Sequence, residues 1–179
     1  MILMTDLDIN LNFLVLVRNI YAYNAMGTRR FPSLTVPCDR LLPNDVLENR
    51  LHAAWDKIVN ENGLRAPHLQ HEHIRLLFAD VVSEDGIGDQ IRDVFLSWHS
   101  QFAWLYTEVA RSISEYFYTR LSALTSLETV RFHLSLVYDT VPPNYLSETD
   151  RHLVIACTPL TLPGLHVLID QYLQDRTTL

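Results

Sequence analysis

The stretch TVRFHLSLVYDTV, Thr129 to Val141, is where the chain changes its hydrophobic period. Before it, apolar residues recur at helical spacing. Within it, Val130, Phe132, Leu134, Leu136 and Tyr138 alternate with Arg131, His133, Ser135 and Asp139. Successive side chains of a strand point to opposite faces, so a period of two predicts a strand over 130–139. Beyond it, VPPNYLSETD reads as a loop and RHLVIACT as a short apolar strand, near 152–158, able to pair antiparallel with the first.

Upstream, a helical pattern runs from about Asp89 to Leu124. Ile91, Phe95, Trp98, Phe102, Leu105, Val109, Ile113 and Tyr116 form one seam, with Leu96, Ala103, Ala110, Phe117 and Leu124 beside it. An apolar arc that wide suits a long central helix packed on more than one side. NDVLENRLHAAWDKIVNENG is a second helix, with Asn44 or Asp45 at its start and Gly63 after its end. TLPGLHVLIDQYLQ is a closing helix. In DINLNFLVLV the residues alternate like a strand, although Ile9, Phe13, Leu16, Val17 and Ile20 would also line a helix. Taking the alternation predicts a third strand near 9–17. The expected fold is α+β and mainly helical: a single globular domain over 1–179, with a small antiparallel sheet (9–17, 130–139, 152–158) against a helical layer.

Hydrophobic residues at 48% and charged residues at 20% are those of a folded chain. A net charge of −7 disfavours nucleic-acid binding, which needs a positive field. The N-terminus lacks a basic region and a cleavage site, and no apolar run approaches the ~18–20 residues that span a bilayer. A cytoplasmic protein without a membrane partner is expected, with Cys38 and Cys157 as reduced thiols; a disulfide between them stays open.

Three histidines, His68, His71 and His73, crowd into APHLQHEHIRLLFADVV. On a helix His68 and His71 lie ~60° apart, but His73 points ~140° from His68. On a strand His71 and His73 share a face and His68 does not. A zinc site built on His71 and His73 would need distant ligands such as His52, His99 or Asp80, so no cofactor is expected. Ile74, Leu77, Phe78 and Val81 instead make this stretch a helix. A second stripe, Leu69, His73, Leu76 and Asp80, faces the other way. SEDGIGD fits neither a calcium loop nor a phosphate cradle: on the EF-hand frame Val81 and Arg92 fall where ligands belong.

His133 and Ser135 stand at H-x-S spacing. This resembles one half of the two-histidine phosphoesterase family, in which two strand-borne histidines flank a phosphodiester as base and acid. None of the other seven histidines has Ser or Thr two places later. A histidine-dependent hydrolase or phosphoesterase, with or without zinc, is therefore the alternative. The leading expectation is a non-catalytic acidic module that binds another protein: an inhibitor, immunity-type protein, adaptor or regulatory subunit. Trp104, Glu108, Arg111, Glu115 and Tyr118 fall on one polar side of the long helix, and aromatics framed by charge are the ingredients of an interface hot spot. The acidic balance suits a basic partner, and self-association is compatible with it.

Overall fold

The computed structural model describes residues 2–26, 43–60, 87–123, 131–142, 144–157 and 162–177. The elements are β1 (Ile2–Asp6), α1 (Ile9–Met26), α2 (Asn44–Asn60), α3 (Ile87–Ser122), β2 (Arg131–Val137), β3 (His152–Ala156) and α4 (Leu162–Thr177). The chain is mainly helical around one small sheet, with the long helix and the last two strands where their periodicity predicts. The stretch 66–82, with His71 and His73, lies outside the described residues, as do Cys38 and the side chain of Trp104.

The segment expected as a strand near 9–17 is helical. Asp8 decides this: its Oδ1 accepts from the backbone N–H groups of Asn10 and Leu11, both at 2.9 Å, and so caps α1. Leu11 through Val17 are all buried, so the period that separates a helix from a strand is erased. The first strand instead precedes the cap, at Ile2–Asp6.

The sheet has the order β1-β2-β3 and is parallel throughout, not antiparallel. The cause is an extra reversal in the β2–β3 connection. α2 grips this connection with one stripe: Tyr145 donates to Glu48, His52 Nε2 meets the Asn144 carbonyl at 2.7 Å, and Trp55 Nε1 donates to the Leu146 carbonyl at 2.7 Å. The chain then descends beside β3, where Val154 donates to Ser147 and Thr149 to His152. Thr149 Oγ1 accepts from the His152 N–H at 3.1 Å, which holds the turn back into β3. The antiparallel hairpin exists, but it joins residues 147–149 to β3. β3 thus slots between them and β2, parallel to β2.

Both faces of the sheet are covered, as parallel sheets require. Phe132, Leu134, Leu136, Leu153 and Ile155 pack against Ile113, Phe117 and Leu121 of α3 and against α4. Val137 and Val154 join the other core with α1, with Leu47, Leu51, Trp55 and Val59 of α2, and with Ile91, Phe95 and Trp98 of α3. α3 therefore serves one face with its first half and the other with its second. To do so it must round an edge of the sheet, and the edge strand beside it is β1.

Candidate functional site

Three places gather polar or reactive groups. The first is the sheet face toward α1 and α2. In the parallel register His133 lies beside His152, with ring centroids 4.7 Å apart. His152 Nε2 is 2.9 Å from Ser135 Oγ, and its Nδ1 is 3.0 Å from the Val59 carbonyl. A carbonyl only accepts, so Nδ1 donates to it, and Nε2 shares a hydrogen bond with the Ser135 hydroxyl. A serine, a histidine and an acceptor that fixes the tautomer are the parts of a nucleophilic site. Access decides against it. Ser135 and His152 are 0% exposed and His133 is 3% exposed. The two rings touch, leaving no gap for a phosphodiester between them. The network fastens α2 to the sheet. Only strand register brings His152 to His133, and no spacing in the sequence signals it.

The second place is the carboxyl end of the strands, where open parallel sheets present ligand sites. Here the fold's own side chains occupy it. Extending the β1 register would set residue 8 opposite Val137, but Asp8 has turned to cap α1. The Asn12 amide takes that rung. Its Nδ2 donates to the Leu136 carbonyl at 2.8 Å, and its Oδ1 accepts from the Tyr138 N–H at 2.8 Å. Asn19 donates to Asp139 Oδ2 at 2.8 Å and to the Tyr138 hydroxyl at 3.2 Å. His99 packs on Phe95 and Trp98 beside Leu7. Burial holds its pKa below the ordinary 6.5, opposed by a hydrogen bond to the Leu7 backbone. Cys157, just past β3, has its thiol pushed up to about 11 by burial, far from a reactive thiolate.

The third place is the outer side of α3. Glu108, Arg111, Glu115 and Tyr118 are exposed and share one stripe, opposite Ile113, Phe117 and Leu121. Arg111 pairs with Glu108, and its pKa is raised chiefly by that hydrogen bond. Tyr118 is 52% exposed. The structure thus brings together four of the five residues expected on this face, and the side chain of Trp104 lies outside the description.

Among the described residues, no three His, Cys, Asp or Glu side chains converge to hold a metal ion. No described helix is long and apolar enough to cross a membrane. No family model, curated protein or solved structure matches this chain.

Proposed function

We propose that this chain acts by binding another protein, one with a basic surface, through the outer side of α3. The observation that carries the reading is Tyr118, a large aromatic half-exposed in line with Glu108, Arg111 and Glu115 on the face turned away from the core. Tyrosine supplies contact area at low entropic cost, and a framing of charge sets register with a complementary partner. A net charge of −7 steers a basic partner toward the chain. The hydrolase alternative has less support: the serine–histidine pair that the fold assembles is sealed among the described residues.

The experiment recovers the native protein from its own cell, identifies what accompanies it, and titrates that partner against purified variants. Tyr118→Ala should weaken binding by about tenfold or more with an unchanged melting temperature. Glu108→Arg with Glu115→Arg should slow association most at low salt. Wild-type affinity in all of these variants would overturn the proposed surface.

A further inference from the structure

The junction of α3 with α4 shows how this chain engages one of its own tyrosines. Tyr116 faces α4, where His166 stacks on its ring with centroids 3.7 Å apart. Arg120, four residues on and therefore a neighbour on the helix surface, sets its guanidinium 5.7 Å from the centre of that ring. Asp170 of α4 completes the set. It accepts from Arg120 Nε at 2.8 Å and Nη2 at 2.9 Å, and from the Tyr116 hydroxyl at 2.8 Å. Ring, guanidinium and carboxylate hold one another, since a planar cation can lie over a π face and fork onto a carboxylate together.

Two residues further along, the outer side of α3 repeats two of these three parts. Tyr118 is 52% exposed, and Glu115, one turn before it, supplies an exposed carboxylate on the same side. The position four residues after Tyr118, where Tyr116 has its arginine, holds Ser122, whose hydroxyl donates to the Thr119 carbonyl. The neighbouring guanidiniums are engaged, Arg111 with Glu108 and Arg120 with Asp170. Across Glu108, Arg111 and Glu115 the stripe sets two carboxylates against one guanidinium, which leaves one negative charge over.

We infer that this stripe takes an arginine of the partner protein, its guanidinium over the Tyr118 ring and its fork on Glu115. The inference rests on reading the outer side of α3 as an interface, and it names the side chain that docks there. A lysine would balance the charge, but its ammonium is compact and strongly hydrated and has no plane to lay on the ring. The incoming arginine stands to Tyr118 and Glu115 as Arg120 stands to Tyr116 and Asp170.

Two peptides of equal charge, one of about six arginines and one of about six lysines, are titrated against the full chain at low salt, with amide NMR shifts as the readout. The arginine peptide should bind about threefold tighter or more, the worth of an exposed cation–π contact, with its largest shifts around Glu115 and Tyr118. Tyr118→Leu should abolish that preference, whereas Tyr118→Phe, which keeps the ring, should preserve it. Tyr118→Gln serves in place of the leucine variant if the latter melts early. Equal binding of the two peptides, the same preference in a folded Tyr118→Leu or Tyr118→Gln variant, or no binding of either at about 1 mM would overturn the inference. Glu108→Arg with Glu115→Arg tests the interface separately. If this variant loses both peptides while wild type shows no preference for arginine, the basic partner stands and the arginine falls. If it keeps both, the surface falls and the inference with it.

Discussion

The two faces of the sheet are built on opposite terms, although the same strands supply both. Toward the second half of α3 and α4, β2 and β3 present only apolar side chains, with Thr5 of β1 beside Leu134 in the register; this is the dry face. Toward α1 and α2, they present His133, Ser135 and His152, joined by Asn12 from the facing helix, and these groups are as buried as the leucines. Apolar packing is non-directional and fixes composition more than position. Directed hydrogen bonds fix position. His152 reaches Ser135 only in the observed register of β2 and β3, and a slip of one residue would turn all three polar residues into the dry core. One face supplies bulk stability, the other the choice of arrangement.

The sharpest way to break that contrast is to empty the dry face. Phe117→Ala, at 0% exposure between Phe132 and Tyr172, should cost ~3–5 kcal/mol in urea unfolding. A loss under about 1 kcal/mol would show that this side is loosely packed. On the polar face, Asn12→Leu keeps the branched shape of the side chain but strands the Leu136 carbonyl and the Tyr138 N–H. It should cost ~2–4 kcal/mol, the desolvation penalty of two unpaired groups. A neutral effect would mean that water can replace the amide, and the division of labour would fail. The smallest effect is a slope. The pKa of His99 is depressed by burial, so above the ordinary 6.5 the group is neutral in both states and adds no pH dependence. As pH falls through 6.5 the unfolded chain takes the proton first, and stability declines. Melting temperatures from about pH 8 to about pH 5.5 should fall less steeply in His99→Asn than in wild type. Parallel slopes would remove His99 from the account.

Much of this was readable in the sequence, and the failures share one physical cause. α2, α3 and α4 each keep an exposed side, so their period of 3.6 survives. β2 keeps a period of two because one face is apolar and the other polar, and β3 shows as a short apolar run. The polar face of β2 is as buried as the apolar one. α1 loses its period because Leu11 to Val17 are buried all round, and Asn10 and Asn12 looked like outward strand positions while sitting in the core. Strand direction was hidden because the reversal at residues 147–149 has too few residues to show a pattern. Of the candidate site, the α3 stripe was legible because exposure on a helix follows spacing. The meeting of His133 with His152 was not, since it depends on register between segments.

The covered edges of the sheet limit how other chains can engage it. α3 rounds the sheet at β1, and residues 147–149 take the outward-facing groups of His152 and Val154 on β3. A peptide arriving as an extra strand would first have to displace a helix on one side or unpick a hairpin on the other. Recognition by strand addition, and the runaway stacking that accompanies open edges, are therefore both costly for this fold. Among the described residues, that leaves side chains on helices as the surface a partner can read without unfolding anything, and there a single substitution can change the partner and leave the backbone untouched.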